Sequence, residues 1–441
     1  MKPSHSPRVA VVGAGWAGLA AAVRAVGRGG QLTLLEAARA PGGRARSVSL
    51  AVPGGDTLRA DNGQHILLGA YTATLGLMRE IGVDPDQVLR RLPLTLRYPD
   101  GSGLALPRLP APLNAAAGIL TASGWHWAER LALLRAAASW RREHAERTVA
   151  ELCATLPARV RRDFIEPLCV AALNTPVAEA SAQVFLRVLH DALLGPPGSA
   201  DLLLPAVGLG ELLPEPALRW LRARGADVRL GQRVRALHWQ APHWRIDDEC
   251  FDHVVLALPA PAAAQVLAAS AGAAPPPLAE ALHRWRADAA ALRHEAIATV
   301  FALTDTNQRA APWPVPVLAL RSNDGAPAQF VFDLGAPAFA ASAASAHSRL
   351  LAFVASAARL DGATLTAAVL RQARTQLDQT VQPLRTVIDK RATFACTPGL
   401  HRPPMRIAPG LLACGDHIAG PYPATLEGAV RSGLQAAETL R

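Results

Sequence analysis

Near its N-terminus the chain reads Arg8-Val-Ala-Val-Val-Gly-Ala-Gly-Trp-Ala-Gly18, and no other segment says as much about its architecture. A run of mostly β-branched residues leads into three closely spaced glycines, and an alanine-rich stretch follows them as far as Arg28. That order predicts a strand, a tight turn and a helix. A second apolar run, from Leu32 to Leu35, ends at Glu36. The segment is therefore typical of a βαβ unit that binds a dinucleotide.

The glycines of this unit have distinct physical roles in dinucleotide binding. Gly13 permits the tight turn, Gly15 lets the backbone approach a pyrophosphate, and Gly18 allows the helix to pack closely on the strand. The helix N-terminus offers free N–H groups and a positive dipole to the phosphates. Glu36 can accept hydrogen bonds from ribose hydroxyls and would repel a 2′-phosphate, which disfavours NADP. The predicted cofactor contacts in this unit are Gly13, Gly15, Trp16, Ala17, Gly18, Glu36 and Ala37.

The composition indicates a folded protein with a large core. Of the 441 residues, 50% are apolar and 18% are charged, which excludes disorder as the main state. The length suggests roughly two to three domain-sized units. The formal charge is +10, but only Lys2 and Lys390 are lysines, and the arginines form no concentrated stripe. We therefore expect no nucleic-acid partner, although the positive balance fits weak attraction to an anionic membrane surface.

Cysteine usage and the apolar segments predict a cytoplasmic protein. The five cysteines are widely spaced and include no Cys-x-x-Cys pair, which argues against a disulfide framework and against a bound metal. The apolar N-terminal run stops at the glycine motif, so no signal peptide is expected. The longest uncharged stretch, residues 254–279, is interrupted by five prolines and predicts no transmembrane helix. Peripheral contact with the inner face of the cell membrane stays open.

Two further motifs indicate which dinucleotide is bound. The residues Glu36-Ala-Ala-Arg-Ala-Pro-Gly-Gly-Arg44 extend the first unit, and Ala413-Cys-Gly-Asp416 precedes a helical segment that opens at Thr425. Together they resemble the fingerprints of the FAD-binding amine oxidase and phytoene desaturase superfamily. The resemblance implies non-covalent FAD, with Gly43 and Arg44 close to its pyrophosphate. An arginine suits that position because it forms charge-assisted bonds to phosphate.

The same resemblance assigns the C-terminal motif to the flavin end of the cofactor. It implies that Asp416 binds the pyrophosphate–ribityl region and that the helix opening at Thr425 points its N-terminus toward the flavin pyrimidine. A helix N-terminus there stabilises the negative charge of reduced flavin. The loop that carries His65 is expected beside the isoalloxazine. The further cofactor contacts predicted on this basis are Gly63, Gln64, His65, Val234, Gly415 and Leu426.

Cofactor motifs at opposite ends of the chain imply an interleaved architecture. We predict an α/β fold in which a Rossmann-type FAD-binding domain is interleaved with a mixed α+β substrate domain, as in amine oxidases and phytoene desaturases. The predicted FAD-binding segments are residues 1–85, 201–275 and 397–441. The predicted substrate-domain segments are residues 86–200, mostly helical, and residues 276–396, mostly antiparallel strands.

Local patterns predict several elements of these domains. Residues 119–190 read as mostly helical, and hairpin turns are expected at Pro99–Gly101 and Ser322–Gly325. The Ala- and Pro-rich stretches 271–279 and 335–346 are expected to be loops.

A helix within residues 125–142 would carry an apolar face. It is either an interfacial helix that admits substrate from a bilayer or a helix packed on the substrate domain. The residues on that face are Trp127, Leu131, Leu134 and Ala138.

Four inner stretches resemble a narrower group: Asp61–Tyr71, Leu173–Pro176, Asp201–Pro205 and Gly420–Thr425. They are similar to segments of the squalene-associated FAD-dependent desaturases, now called hydroxysqualene dehydroxylases. The resemblance implies that reduced FAD converts hydroxysqualene to squalene and water in a bacterial route to squalene and hopanoids. A polyprenyl substrate of this size needs a long apolar cavity, which an apolar substrate domain could supply.

The implied reaction needs one proton donor in a dry site. An allylic hydroxyl leaves most easily as water, hydride from flavin N5 then quenches the allylic cation, and solvent must be kept from that cation. His65 is the first candidate acid, because a titrating imidazole suits proton donation. Tyr422 is the second candidate, and Asn174 could orient the hydroxyl. Each also has a structural alternative, namely a backbone contact, a cavity wall and a turn or cap residue.

Other functions on the same fold stay open. A carotenoid-type desaturase would use the flavin in the oxidative direction, which the FAD motifs do not distinguish. An amine oxidase is disfavoured, because those enzymes commonly hold a lysine near flavin N5 and no lysine lies between Lys2 and Lys390. A non-catalytic flavoprotein that carries a prenyl lipid is the alternative from another class. No motif identifies the electron donor that reduces the FAD.

Overall fold

The computed structural model describes residues 6–51, 57–140, 146–304, 313, 315–335 and 349–440. Within them the strands are β1 (Arg8–Val12), β2 (Gln31–Glu36), β3 (Ser47–Ala51), β4 (Thr57–Asp61), β5 (Leu67–Leu68), β6 (Leu89–Leu92), β7 (Thr95–Arg97), β8 (Gly103–Ala105), β9 (Leu202–Pro205), β10 (Asp227–Leu230), β11 (His238–Gln240), β12 (His243–Ile246), β13 (Glu249–Phe251), β14 (His253–Leu256), β15 (His294–Thr304), β16 (Val317–Ala319), β17 (Phe330–Asp333), β18 (Leu350–Ser356), β19 (Val381–Phe394), β20 (Arg406–Ala408) and β21 (Leu411–Ala413).

The α-helices of the same residues are α1 (Trp16–Gly27), α2 (Thr72–Glu80), α3 (Pro85–Val88), α4 (Leu113–Leu120), α5 (Trp127–Ser139), α6 (Val149–Leu152), α7 (Ala158–Val160), α8 (Glu166–Leu173), α9 (Ala182–Leu193), α10 (Leu209–Leu212), α11 (Pro214–Arg222), α12 (Ala260–Ala271), α13 (Pro276–Ala290), α14 (Gly362–Leu377) and α15 (Leu426–Glu438). A π-helical turn, Arg161–Ile165, lies between α7 and α8.

A six-stranded, mainly parallel sheet forms the cofactor-binding half. Its order is β10-β2-β1-β14-β21-β20, and the edge strand β20 runs antiparallel to β21. Strand β1 lies between β2 and β14, and both faces of the central strands are buried, which accounts for their unbroken apolar sequences. The strands come from residues 8–36, 227–256 and 406–413. This arrangement confirms the predicted interleaved α/β fold.

Glycine allows helix α1 to follow β1 at close range. Gly13 has a φ of +110°, and a Cβ there would lie 2.4 Å from the Ala257 carbonyl oxygen, just after β14. A Cβ on Gly18 would lie 1.9 Å from the Gly13 oxygen. Helix α15 packs on α1 equally closely, since a Cβ on Gly433 would lie 2.0 Å from the Ala17 oxygen. The C-terminal helix is thus held against the first βαβ unit.

A five-stranded antiparallel sheet forms the substrate half, in the order β16-β17-β18-β15-β19. Helix α14 covers one face, to which it contributes Leu365 and Val369. The opposite face presents apolar side chains such as Phe301 to Leu50 of β3 and Leu204 of β9. An apolar layer therefore separates this sheet from the β3–β4 hairpin and strand β9. The strands β7 and β8 pair as the predicted hairpin, and so do β16 and β17.

Some elements differ from the expectations drawn from sequence. Residues 238–251 form an antiparallel meander, β11-β12-β13, that none of the sequence patterns predicts. The expected loop at 271–279 is shorter, because α13 begins at Pro276 and proline fits the first turn of a helix. Helix α13 also packs against α12 and β20, so it lies with the cofactor half although the predicted boundary at 276 places it in the substrate domain. The expected loop at 335–346 lies, after residue 335, outside the described residues.

Gly18→Ala should destabilise the chain by about 1–3 kcal/mol, because the added methyl group overpacks the contact between β1 and α1. Thermal unfolding followed by circular dichroism measures the change. The matched control is Gly76→Ala in α2, where a Cβ would meet no atom within 4 Å. This control should be neutral or stabilising by up to about 1 kcal/mol, because alanine is the better helix former. Equal Tm values for the two variants would contradict the close contact.

Candidate cofactor site

Arg44 and Asp416 meet where the two ends of the chain come together. The Arg44 Nη2 atom donates to Asp416 Oδ1 at 2.5 Å, and Nη1 donates to the Ala392 carbonyl oxygen at 2.6 Å. Burial alone would raise the pKa of Asp416, but the charge of Arg44 and the neighbouring His417 outweigh it and hold that pKa well below its usual range. The same ion pair raises the pKa of Arg44. Both groups are therefore charged at neutral pH.

The glycine loop and the Gly42–Gly43 turn form a cradle without side chains. Gly15 pairs with Gly42 in an isolated parallel bridge, and a Cβ on Gly15 would meet only the Gly43 Cα, at 4.0 Å. Gly15 is also the N-cap of α1 and has no side chain to occupy the first N–H groups of the helix. Open space, free helix N–H donors and the Arg44 cation together fit a pyrophosphate. This half of the site therefore suits the diphosphate of FAD.

The remaining residues predicted in the first unit lie around this cradle. Glu36 accepts hydrogen bonds from the Ala14 N–H at 2.6 Å and the Ala38 N–H at 2.7 Å, which hold its carboxylate at the end of β2. Ala37 is exposed beside it, and Val234 is buried in the same hydrophobic cluster as Val12. The Trp16 indole N–H donates to the Ala45 oxygen at 3.1 Å, so this side chain anchors the Gly42–Gly43 turn.

The loop after β4 packs directly against the Arg44 segment. The Asn62 N–H donates to the Arg46 oxygen at 2.9 Å. Asp61 fixes the start of the loop, because its Oδ1 accepts from the Ser47 hydroxyl at 3.0 Å and from the Leu209 N–H at 2.9 Å. The half-buried loop residues Gly63, Gln64 and His65 therefore follow directly on a residue that is bonded to the Arg44 segment, and their contact with a flavin stays a prediction.

His65 is held in one tautomer by its own loop. Its Nδ1 atom lies 2.8 Å from the Gly63 carbonyl oxygen, which can only accept, so Nδ1 carries a hydrogen. Burial lowers the pKa of His65, and the hydrogen bond to Gly63 opposes that shift only in part. The ring is therefore mainly neutral at pH 7, with Nε2 as an acceptor, and Nε2 gains a proton only when the ring is charged.

Tyr422 precedes α15, and its hydroxyl has its hydrogen-bond partner in helix α9. Its hydroxyl donates to Asp191 Oδ2 at 2.9 Å, and Asp191 also accepts from Arg187 Nε at 2.5 Å. Burial and the hydrogen bond to Asp191 raise the pKa of Tyr422. The phenol is thus protonated at neutral pH, but its hydrogen is engaged with a carboxylate.

Asn174 has a structural role at the C-terminus of α8. It adopts a left-handed conformation, with a φ of +46°, and it is buried. Its amide nitrogen donates to the Thr393 hydroxyl at 2.9 Å, and its carbonyl oxygen accepts from the Ala357 N–H at 2.7 Å. These bonds join α8 to β19 and to the end of β18. The contacts correspond to the cap alternative rather than to orientation of a substrate hydroxyl.

The N-terminus of α15 is capped and positioned by side chains. The Thr425 hydroxyl accepts from the Gly428 N–H at 2.9 Å, and Leu426 begins the helix. Glu427 is fully buried and accepts from the N–H groups of Ala73 and Thr74 at 3.0 and 2.9 Å. This carboxylate therefore caps α2 and ties the start of α2 to the first turn of α15.

Two site residues were not predicted from sequence. His417 is buried, its Nε2 atom has no hydrogen-bond partner among the described residues, and it lines a cleft of about 260 Å³ with Arg44 and Asp416. Thr299 is buried in β15, and its hydroxyl lies 3.9 Å from the position a Cβ on Gly63 would take. An orphaned imidazole nitrogen is a group that a bound ligand could satisfy. The histidine directly after the Gly-Asp motif and a threonine in the middle of an apolar strand are the signals that could have indicated them.

A model of the flavin containing amine oxidoreductase family matches residues 16–441. The chain is also 29% identical to the hydroxysqualene dehydroxylase of Rhodopseudomonas palustris, over 98% of each chain. It is 30% identical to the hydroxysqualene dehydroxylase of Sinorhizobium fredii over 59% of this chain, a match that spans only 63% of that relative's length. Among solved structures, cyclohexylamine oxidase from Brevibacterium oxydans superposes with a TM-score of 0.62 over 98% of each chain, at 16% identity, and so shares the fold.

Arg44→Met should release most of the bound flavin and destabilise the protein, because it leaves the buried Asp416 carboxylate without its cation. The cost should be about 3 kcal/mol, the low end for a broken buried pair, since 36% of the Arg44 side chain is exposed. Flavin absorbance per mole of protein after gel filtration, together with Tm, measures both effects. Arg44→Lys keeps the charge but loses the two-pronged geometry, so it should retain flavin to an intermediate level. The control is Arg371→Met on the exposed face of α14; equal flavin loss there would argue against the assigned site.

Proposed function

The chain belongs to the flavin containing amine oxidoreductase family and is an FAD-dependent oxidoreductase, and from this premise we propose that it removes the hydroxyl group of hydroxysqualene reductively, giving squalene and water. The observation that carries the proposal is the similarity to the hydroxysqualene dehydroxylase of R. palustris over nearly the whole of both chains. The four inner sequence stretches support it. The reaction would serve squalene and hopanoid biosynthesis.

The chemistry divides between the cofactor and the chain. When bound, non-covalently, reduced FAD supplies a hydride. The chain has to hold the substrate, supply one proton to the leaving hydroxyl and keep water from the carbon that loses it. With that proton the carbon–oxygen bond would break with release of water, and the carbon would gain one hydride in its place. Each turnover would consume two electrons, so a separate electron donor would be required.

His65 is the residue we propose as the proton donor. It lies in the loop that packs on the Arg44 segment, and the charged ring would keep its Nδ1 bond to Gly63 while Nε2 donates. The lowered pKa makes the charged ring a stronger acid, although fewer molecules carry it at pH 7. Tyr422 is the weaker candidate, because its hydroxyl is already bonded to Asp191 and its pKa is raised. We assign Asn174 to positioning of α8.

The antiparallel sheet has an apolar face, which packs on β3 and β9 next to the His65 loop. Phe301, Phe332 and Leu350 contribute apolar side chains to it, and Thr299 is a buried polar residue of β15 close to the His65 loop. An apolar wall excludes water from a reactive carbon. Hydrocarbon and flavin chemistry would thus meet where this face adjoins the loop.

We propose a cytoplasmic location at the inner face of the cell membrane, where a polyprenyl substrate dissolves. None of the helices in the described residues is both long and apolar enough to cross a bilayer. A small polyprenyl molecule, an electron donor and the membrane surface are the proposed partners, and no nucleic acid is among them.

The anaerobic single turnover is the direct test of the proposed reaction. The flavin of the purified protein is reduced, hydroxysqualene is added in detergent, and the oxidised flavin band is followed while squalene is assayed. We expect reoxidation with one squalene formed per flavin. Reduced flavin that stays reduced in a folded, flavin-loaded protein would overturn the proposal. Reduction of the oxidised protein by a polyene would then support a desaturase, and binding of a polyprenyl lipid without turnover would support a carrier.

The pH dependence of that single turnover tests His65. The active form would be the charged ring, so the rate should fall as pH rises through an apparent pKa below the ordinary value of about 6.5. This fall is the basic limb of the pH–rate profile. His65→Gln should lower the rate by about 10²–10⁴-fold and abolish the basic limb. Because burial also lowers the pKa of His294 in the neighbouring cleft, His294→Gln is the matched control and should keep the limb. A limb that persists in His65→Gln would move the acid elsewhere.

A further inference from the structure

The most exposed large apolar side chains of the described residues are concentrated in one region. Five of the seven fall between residues 109 and 131, and they include Leu113 at 60% and Trp127 at 64% exposure. The other two are Leu194 and Leu334. Single exposed apolar residues are ordinary, but a cluster on one surface indicates a partner. We call the surface formed by Leu109, Leu113, Leu120, Trp127 and Leu131 the α4–α5 surface.

The spacing and the contacts make this one continuous surface. Leu113 and Leu120 stand seven positions apart on α4, and Trp127 and Leu131 stand four apart on α5, so each pair shares a helix face. Arg130 connects the two helices, because its guanidinium donates to the Leu120 oxygen at 2.7 Å and to the Ala122 oxygen at 2.8 Å. The same guanidinium lies 4.9 Å from the centre of the Trp127 ring.

The charges around the α4–α5 surface have one sign. Residues 101–128 include Arg108 and no aspartate or glutamate. Helix α5 adds Arg130 and Arg135 and a single acid, Glu129. That carboxylate accepts from the His126 N–H at 2.8 Å and lies 3.8 Å from Arg159, so its charge is already compensated. Exposed apolar side chains edged by arginines fit the surface of an anionic bilayer, where hydrocarbon lies beneath a layer of negatively charged headgroups.

We propose that the α4–α5 surface docks the protein on an anionic lipid bilayer. Helices α4 and α5 have 8 and 13 residues, too few to cross a bilayer, so they would lie in its surface. A symmetric contact with a second copy is disfavoured, because it would bring the arginines of this surface against their own equivalents. The α4–α5 surface thus gives the interfacial alternative for residues 125–142 a structural basis; the last two of these residues lie outside the described chain.

A cleft beside the surface fits the same orientation. It has a volume of about 360 Å³, and apolar residues such as Leu94, Leu106 and Leu109 line it together with several prolines. Leu109 belongs to both the cleft and the α4–α5 surface, so the cleft would open at the membrane. The docking inference rests on the proposed function in one respect, which is that a polyprenyl substrate resides in the bilayer.

Vesicle flotation of the flavin-loaded, full-length protein tests the inference. We expect binding to phosphatidylcholine vesicles that contain phosphatidylglycerol, weaker binding without it, and loss of the difference at high salt. The double variant Leu113→Glu/Trp127→Glu should bind at least tenfold more weakly. Arg108→Gln and Arg135→Gln should each cost about fivefold on the anionic vesicles, the factor that corresponds to about 1 kcal/mol per arginine. Leu334→Glu, at an exposed leucine outside the surface, is the matched control and should bind as the parent does.

The outcomes separate the docking surface from the reaction. Each variant is checked for Tm and flavin content, and hydroxysqualene in detergent should be turned over equally by parent and double variant. The docking inference would be overturned if the parent protein bound none of the vesicles, or if the double variant bound them as well as the parent does. Turnover in detergent would be unaffected by either result. Binding without turnover would leave docking intact and reject the proposed reaction. A concentration-dependent dimer that the double variant abolishes would assign the surface to a second copy instead.

Discussion

The ion pair between Arg44 and Asp416 joins residues that stand 372 positions apart in the chain. Arg44 follows β2, and Asp416 follows β21, so the pair closes the cofactor site from both ends of the sequence. A pair of this kind contributes little net stability, because the cost of taking two charges out of water offsets their attraction. Its consequence is geometric: the cation of the residue that follows Gly43 is held in a fixed position at the cleft that Asp416 also lines.

Close approach between backbones makes this meeting possible. Gly13 and Gly18 bring α1 against the end of β14, and Gly433 brings α15 against α1. The separation in each contact leaves no room for a methyl group, so the N- and C-terminal segments fit as one layer. Glu427 of α15 also joins α2 to this layer, because its carboxylate accepts hydrogen bonds from N–H groups at the start of α2. The interleaved order of segments is thus secured by sterics at a few glycines together with one buried carboxylate.

The two sides of the candidate site differ in polarity. Charged groups, among them Arg44 and Asp416, line the cofactor cleft, while the interior face of the antiparallel sheet carries a cluster of apolar side chains together with the buried Thr299. Burial lowers the pKa of His65, and the hydrogen bond to Gly63 and the charge of Asp61 oppose that shift.

Sequence alone determined the βαβ unit of a dinucleotide site, because that unit depends on glycines, a short carboxylate spacing and apolar periodicity that act over a few residues. The family resemblance of the further motifs indicated FAD, and their positions at opposite ends of the chain indicated the interleaved topology. The expectation that His65, Gly63 and Arg44 share one site stays a prediction. Only the tertiary structure decided what each polar side chain does. Asn174 bonds to Thr393 and Tyr422 donates to Asp191, because hydrogen-bond partners are set by residues more than a hundred positions away. Among the described residues, His417 Nε2 is buried in the cleft with no hydrogen-bond partner.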